Sequence, residues 1–458
     1  MRRTLPLLLL MLCCLAPPVA DAGARRPLDP GPLELRAVEQ LSPRLQELRV
    51  YSPALARETS LRVLLPEGWA DRPPQARPRL PVLWLLHGGF GSYVDWTVQG
   101  DAEAITEGLD LVVVMPDTGP GGWYSDWRTP ETSQGLQRWE TYHVRELVPF
   151  IHAHYRTRTD RAGNGIAGLS MGGFGALHHA ARHPDVFGFA AAFSGAVDNQ
   201  HFGVQLVIMG SPLIMGGVPG DVFGEPVLHE TYWRANNPVD LAANLAHVVV
   251  ELRTGNGQPG GVHGGGPDVQ EEAVAETNAT LSARLAALGI PHLHEEYPGA
   301  HTWPYWRDGL RASLPGFLAV AQGPARTPSQ VEHLAFEPAF SAWGYDVALE
   351  RPALERAWLT VSPHGFSLRG TGQGVVVTPP RFAPGQRVRV VAWNEVGEFP
   401  LRALRARADG RLVVPVDLGP ASTVDEFARP PEDPPRFRTV HVALRPLPAR
   451  RPKHPHAR

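Results

Sequence analysis

The chain has 458 residues, of which 43% are hydrophobic, and a formal net charge of −3 at pH 7. This length predicts two or three domains with enough apolar residues for a sizeable core. The net charge is close to zero and no long run of basic residues is present, so nothing in the charge pattern points to a nucleic-acid-binding protein. Residues 450–458 are basic but few, and we expect them to form a disordered tail.

The N-terminus has the pattern of a secretory signal peptide over residues 1–22. A positively charged start is followed by an apolar run at residues 5–15, too short to span a bilayer, and by a small-residue cleavage site at residues 20–22. Both cysteines, Cys13 and Cys14, lie inside this segment. The mature chain would therefore be secreted without a disulfide, a cysteine nucleophile or a thiolate metal site. No later segment is long and apolar enough for a transmembrane helix.

Apolar runs alternate with helical patterns through the first two thirds of the chain. Residues 23–44 are expected to be a flexible N-terminal segment. Helical spacing is present at residues 139–154 and 268–288. Strands alternating with helices predict a doubly wound α/β-hydrolase sheet over residues 45–322. The predicted strands lie at residues 45–50, 59–65, 80–86, 111–116, 165–167, 187–193, 247–252 and 292–297.

The sequence pattern changes near residues 323–332, where Gly, Pro and Thr replace the periodic pattern and predict a linker. Beyond it, short β-branched runs separated by turn residues predict a small all-β, sandwich-like domain over residues 333–449. This part carries no recognisable chemical constellation. We expect it to be a spacer or a carbohydrate-facing accessory domain.

The run Gly168-Leu169-Ser170-Met171-Gly172 is a G-x-S-x-G nucleophile elbow. A short apolar strand precedes it and a helical pattern follows it, which is the context that this motif requires. A serine hydroxyl is a poor nucleophile at neutral pH and needs a base to accept its proton. Ser170 is the predicted nucleophile.

His301 is the predicted general base, because it lies in a Gly-flanked loop that directly follows the last apolar strand. The order Ser, acid, His along the chain is the order that α/β-hydrolases use. The helical segment between them offers several carboxylates as the acid, and the pattern alone leaves the choice open among Asp268, Glu271, Glu272 and Glu276. Most other histidines lie in predicted helices or Gly-rich loops; His178, His179 and His183 are expected on a helix surface, and His263, in a run of glycines, is expected to be solvated.

The oxyanion hole is predicted from two backbone N–H groups. One belongs to Met171, the residue after the nucleophile. The second belongs to the loop His87-Gly88-Gly89-Phe90 after an early strand, with Gly89 favoured and Phe90 as the alternative.

Aromatic residues gather in the loops near these motifs. They suit stacking on sugar rings or lining an acyl channel, and equally plain loop packing. They are Trp96, Trp123, Tyr124, Trp127, Trp139, Trp303 and Trp306.

Several segments, in the same order along the chain, resemble the antigen 85 mycolyltransferases within the larger esterase D-like group. The resemblance spans roughly residues 45–320. The segments are Gly122-Trp123-Tyr124-Ser125-Asp126-Trp127, Trp139-Glu140-Thr141, the elbow at Ser170, Arg234-Ala235-Asn236-Asn237-Pro238, Gly255-Asn256-Gly257 and His301-Thr302-Trp303-Pro304-Tyr305-Trp306.

This resemblance implies a serine carboxylic-ester hydrolase or acyltransferase with a Ser-Glu-His triad and no metal or organic cofactor. It assigns the acid to Glu271, with Asp268 as the alternative, and the second oxyanion donor to Gly89. Its expected partners are an ester substrate and a sugar acyl acceptor. The expected substrate contacts are His87, Trp127 and Trp303.

The chain departs from the family at two points. The family's Asp after the early strand, which contacts trehalose there, is His87 in this chain, so the expectation of trehalose as acceptor is weaker. The family's disulfide cysteines are also absent. Two alternatives stay open, a purely hydrolytic esterase on lipid or carbohydrate esters and a non-catalytic cell-surface binding protein on a hydrolase scaffold.

Overall fold

The computed structural model describes residues 32–448, except residues 70, 72, 74–76, 324–327, 401–402 and 430–435. The predicted signal peptide and the basic tail lie outside the described residues. Within residues 32–323 the described chain folds around one nine-stranded sheet with the order β1-β2-β3-β5-β4-β8-β9-β10-β11. The strands of this part are β1 (Glu34–Gln40), β2 (Leu45–Ser52), β3 (Arg57–Leu64), β4 (Val82–Leu86), β5 (Val112–Pro116), β6 (Asp126–Thr132), β7 (Gly135–Arg138), β8 (Asn164–Leu169), β9 (Phe189–Phe193), β10 (Val249–Gly255) and β11 (His292–Tyr297).

Strands β4, β5, β8, β9, β10 and β11 run parallel, and β1 to β3 join them as an antiparallel edge. Strands β4, β5, β8 and β9 are buried at every position, because helices cover both faces of the sheet. The helices are α1 (Asp95–Val98), α2 (Ala102–Ile105), α3 (Val148–His154), α4 (Met171–Arg182), α5 (Phe202–Gly210), α6 (Glu230–Ala235), α7 (Val269–Ala287) and α8 (Trp303–Gln322). A π-helical stretch, Thr141–Leu147, leads into α3. The prediction of a doubly wound α/β-hydrolase sheet is confirmed.

Strand β1 lies inside the segment 23–44 that the sequence predicts as flexible. It pairs antiparallel with β2, although all seven of its residues are exposed. Because it buries no side chain, no hydrophobic alternation marks it in the sequence. Backbone pairing and surface contacts of Arg36 with Glu58 and the Tyr51 ring hold it at the edge of the sheet.

Helix α4 is buried along nearly its whole length, between the sheet and the segments that follow α5. The prediction that His178, His179 and His183 lie on its surface is therefore wrong, since they are 0%, 1% and 8% exposed. Burial lowers the pKa of His178 and His179, so both rings are neutral at pH 7. His183 Nε2 lies 2.7 Å from a carboxylate oxygen of Glu140, which Arg182 also contacts.

Residues 331–446 form antiparallel sheets. One has the order β12-β15-β16-β22-β18-β19, with β20 also on β18, and the other is β13-β14-β17-β21. Both contribute to one core, in which Val347 and Val376 of the second sheet meet Leu368 and Val390 of the first. The strands are β12 (Val331–Ala335), β13 (Ala339–Ala342), β14 (Tyr345–Glu350), β15 (Ala357–Ser362), β16 (Gly365–Gly370), β17 (Gln373–Val377), β18 (Arg387–Asn394), β19 (Gly397–Pro400), β20 (Leu404–Arg405), β21 (Val413–Asp417) and β22 (Arg438–Pro446).

The β-rich part packs directly against the α/β part. Leu334 and Phe336 belong to the main core of the α/β part. The buried amide of Asn244 donates to the Leu334 carbonyl at 2.9 Å and accepts from the Leu334 N–H at 2.7 Å. Strand β12 begins at Val331, inside the segment that the sequence predicts as a linker.

No helix in the described part of the chain is both long and apolar enough to cross a membrane.

The substitution Asn244→Ala tests the contact between the Asn244 amide and the backbone of Leu334. The change leaves a buried N–H and a buried carbonyl of Leu334 without partners, so we expect the free energy of unfolding to fall by about 3 kcal/mol. Urea denaturation measures it. Gln373→Ala, which removes an exposed amide, serves as the control and should stay within about 0.5 kcal/mol of the wild type. Equal stability of the two variants would contradict the packing described.

Candidate active site

Ser170 sits at the turn between β8 and α4 with φ +52° and ψ −117°. This conformation is sparsely populated for a non-glycine residue and persists only where its surroundings enforce it. The neighbouring glycines allow the required close approach. A Cβ on Gly172 would lie 2.5 Å from the carbonyl oxygens of Leu86 and His87, and one on Gly168 would lie 2.4 Å from the Gly172 oxygen.

The ring of His301 lies in the loop before α8 and is held by one carboxylate. Its Nδ1 lies 2.5 Å from Oε2 of Glu271, whose side chain is completely buried. The hydrogen bond at Nδ1 fixes the ring orientation and leaves Nε2 as the nitrogen that can exchange a proton. Nε2 is buried and has no hydrogen-bond partner among the described residues.

The second oxygen of Glu271 is also held by donors. Oε1 accepts from the Gly255 N–H at 2.6 Å and from the Ser194 hydroxyl at 2.7 Å. Ser194 in turn accepts a hydrogen bond from Trp306 Nε1. These contacts fix the position of the carboxylate, so that its other oxygen faces the His301 ring. The sequence does not predict the role of Ser194, although its place after the apolar strand β9, at the same sheet edge as Ser170, is a usable signal.

Asp268 acts on the backbone of the same loop and does not contact the imidazole. Its Oδ2 accepts from the His301 N–H at 2.8 Å, and its Oδ1 caps α7 by accepting from the N–H groups of Gln270 and Glu271. Burial raises the pKa of Asp268, but these N–H donors lower it more, so the net shift is downward. The structure thus gives the two candidate acids different positions, with Glu271 on the ring and Asp268 on the main chain.

Ser170 and His301 line the same cavity of about 340 Å³ at the carboxyl ends of the parallel strands. The N–H groups of Gly89 and Met171 lie on this cavity, and no hydrogen bond from either is found within residues 77–323. The N–H of Phe90 donates to the Pro120 carbonyl at 2.8 Å and is therefore not free for a ligand. Gly89 and Met171 are the pair that geometry favours for binding an oxyanion.

Of the predicted substrate contacts, only Trp303 lines the cavity, where Trp306 and Trp123 join it. Trp127 is 3% exposed and donates to the Gly122 carbonyl, away from the cavity. His87 is fully buried, and its ring bonds to the Gly88 carbonyl and the Thr118 N–H. Most of the aromatic cluster packs in the core, since Trp96, Tyr124 and Trp139 are at most 1% exposed.

His87 instead lies next to Asp117, whose side chain is 23% exposed. Its Nε2 lies 3.4 Å from Oδ1 of that residue. Burial raises the pKa of Asp117, but the neighbouring His87 and the hydrogen bond from the Gly119 N–H lower it more, so the net shift is downward. The contact of the His87 ring with the Gly88 carbonyl supports the loop that contains Gly88 and Gly89. Among the described residues, no group of three or more His, Cys, Asp or Glu is arranged to hold a metal ion.

Comparison with known proteins shows the family of the chain. The family model described as putative esterase matches residues 52–317, which is more than half of the chain. The chain belongs to the putative esterase family. An esterase of Mycobacterium tuberculosis is 33% identical over 291 residues, covering 60% of this chain and 59% of that protein. This esterase-family chain thus spans about three fifths of the length of that curated relative.

The antigen 85 resemblance is confirmed as well. The diacylglycerol acyltransferase/mycolyltransferase Ag85B of Mycobacterium leprae is 30% identical over 254 residues, covering 51% of this chain and 74% of that protein. Among solved structures, MPT51 of Mycobacterium tuberculosis is 23% identical with a TM-score of 0.49, covering 63% of this chain and all of that one. The family is one of ester hydrolases and acyltransferases.

The two hydrogen-bonding roles of Asp268 predict how its substitution changes stability. Asp268→Ala removes the cap of α7 and the acceptor of the His301 N–H, so we expect a loss of about 1–2 kcal/mol at pH 7, measured by urea denaturation. Asp268→Ser keeps a cap and should recover part of it. Because the pKa of Asp268 is lower in the folded state, its contribution is present above the unfolded pKa of about 3.9 and fades as the pH falls below it. A difference between Asp268→Ala and wild type that widened at low pH would contradict this.

Proposed function

We propose that this protein is a secreted serine esterase or acyltransferase that acts on a carboxylic ester through an acyl-enzyme. The observation that carries the proposal is the contact of His301 Nδ1 with the buried carboxylate of Glu271, on the cavity that also holds Ser170. In this proposal Ser170 is the nucleophile, His301 the base and Glu271 the acid of the triad.

The first half-reaction forms the acyl-enzyme. His301 Nε2 accepts the proton of Ser170 Oγ as that oxygen attacks the ester carbonyl, and the N–H groups of Gly89 and Met171 stabilise the resulting oxyanion. His301 then passes the proton to the departing alkoxide as the carbon–oxygen bond breaks. Glu271 accepts the hydrogen bond of His301 Nδ1 between these two steps and so stabilises the imidazolium.

The second half-reaction decides between hydrolysis and transfer. His301 removes a proton from water or from an acceptor hydroxyl, and that oxygen attacks the acyl carbon. As the bond between the acyl carbon and Ser170 Oγ breaks, His301 returns the proton to Ser170 Oγ. The name of the Ag85B relative, a diacylglycerol acyltransferase/mycolyltransferase, favours transfer to a hydroxyl. His87, in place of the family's Asp and turned away from the cavity, disfavours trehalose as the acceptor. A plain hydrolase is the second candidate.

We place the enzyme outside the cytoplasm on the pattern of residues 1–22, with its charged start, apolar run and small-residue cleavage site. Expression of the full chain in an exporting bacterial host, followed by N-terminal sequencing of the product, tests this assignment. Cleavage after residue 22 supports export, and an uncleaved product in the cytosol contradicts it.

Substitution of single carboxylates tests the assignment of the acid. Glu271→Gln keeps the size of the side chain but not the charge that stabilises the imidazolium, so kcat/KM on p-nitrophenyl butyrate should fall by about 10³-fold or more. Asp268→Asn, which perturbs the backbone of the His301 loop and the cap of α7 without removing the partner of the ring, should cost about tenfold. Glu272→Gln, on the exposed side of the same helix, is the matched control and should be unchanged. The assignment fails if Glu271→Gln is the mildest of the three.

Hydrolysis and transfer differ in their products. With a long p-nitrophenyl ester and glucose or trehalose present, mass spectrometry should detect acylated sugar that increases with sugar concentration and is absent in Ser170→Ala. Because His87 replaces the family's carboxylate, we expect trehalose to give no more product than glucose. Nitrophenol release without acylated sugar would identify a hydrolase instead.

A further inference from the structure

Helix α5 and the 3₁₀ turn after it, Ser211–Met215, present a row of apolar side chains to solvent. Phe202 is 71% exposed and Leu213 is 63% exposed. Single exposed apolar residues are ordinary, but a row on one short segment marks an interaction surface. We call this row the apolar rim, and its members are Phe202, Leu206, Val207, Leu213, Ile214 and Val218.

The rim is exposed although the segment is firmly packed. Val204 and Ile208 on the opposite side of α5 are buried in the main core, as is Met215. Trp123 Nε1 donates to the Ser211 hydroxyl at 2.8 Å and ties the turn to the loop after β5. The outward side chains therefore are not covered by any part of the chain that the structure describes.

The rim continues into the mouth of the catalytic cavity. Val207 lines that cavity and is 50% exposed, and Ser211 lines it as well. Phe90, which is 79% exposed, is a further large apolar side chain at the same mouth. Whatever covers the rim thus lies against the opening through which an ester reaches Ser170.

The charge of the segment selects the kind of partner. Between Asp198 and Asp221 the sequence contains no Asp, Glu, Lys or Arg. Such a surface offers nothing to an ionic partner and matches an uncharged apolar layer. A protein bound here would block the mouth, whereas a lipid layer would bring acyl esters to it.

We infer that the apolar rim docks the enzyme onto an uncharged lipid surface, so that an ester held in that surface enters the cavity directly. This inference rests on the proposed function, since it names where that site takes its substrate. Docking buries the exposed parts of the rim, and the area removed from water drives it.

Flotation with vesicles of dioleoylphosphatidylcholine tests the docking, with full-length Ser170→Ala protein so that no turnover occurs. We expect this protein to float with the vesicles at both low and high salt. Adding Phe202→Ser, Leu206→Ser and Leu213→Ser should weaken binding by about tenfold or more. A control triple, Leu35→Ser, Val38→Ser and Val396→Ser, removes apolar side chains exposed elsewhere and should leave binding unchanged.

A second assay uses the same variants with Ser170 intact and measures their turnover of soluble p-nitrophenyl acetate. It separates loss of lipid binding from loss of the folded active site. The rim triple should keep this turnover within about twofold, because none of its three positions lines the cavity. If the triple loses it through misfolding, Leu213→Ser alone gives the test and should weaken flotation in the same direction. A wild type without any esterase activity would contradict the proposed function, while flotation of the Ser170→Ala protein would still report on the rim.

Four results would overturn the inference. The first is a protein that does not float, and the second is a rim triple that floats like its parent. The third is a wild-type dimer in sedimentation that the rim triple splits, which would assign the rim to a second copy of this chain. Binding that high salt abolishes would also count against it, because the segment carries no charge to screen.

Discussion

The buried carboxylate of Glu271 is the constraint on which the site depends. Burying an ionised group without partners costs several kcal/mol, so the fold surrounds this one with donors. The Gly255 N–H and the Ser194 hydroxyl bind one oxygen and the His301 ring binds the other. These contacts come from the ends of β9 and β10 and from the loop after β11, so three neighbouring segments must meet at one edge of the sheet for the carboxylate to be stable.

The same edge explains the remaining geometry. The elbow at Ser170 follows β8, and the loop that carries Gly89 follows β4, its parallel neighbour. A Cβ on Gly88 would lie 2.4 Å from Leu169 Cδ1, so any other residue there would require the Leu169 side chain to move. Asp268 then links the His301 backbone to the start of the helix that bears Glu271. Side-chain and main-chain contacts at the ends of neighbouring strands hold the site together, which favours the preorganisation that acyl transfer requires.

Sequence reasoning predicts the parts of this site that local chemistry dictates. Ser170 follows from the elbow, and the unbroken apolar runs give the sheet. Burial of α4 is not predictable from its own pattern, because packing on all its sides comes from distant segments, so the positions of His178 and His179 are missed. The choice between Asp268 and Glu271 depends on which carboxylate faces the imidazole, and helical spacing alone does not determine that. Strand β1, with no buried face, leaves no periodic signal.

The most direct test of the account is covalent labelling of the intact protein with a fluorophosphonate, followed by peptide mapping. The account predicts a single adduct on Ser170, formed fast in the wild type and at least about 10³-fold more slowly in His301→Ala. Labelling confined to another residue, or labelling of Ser170 that does not depend on His301, would contradict the proposed triad.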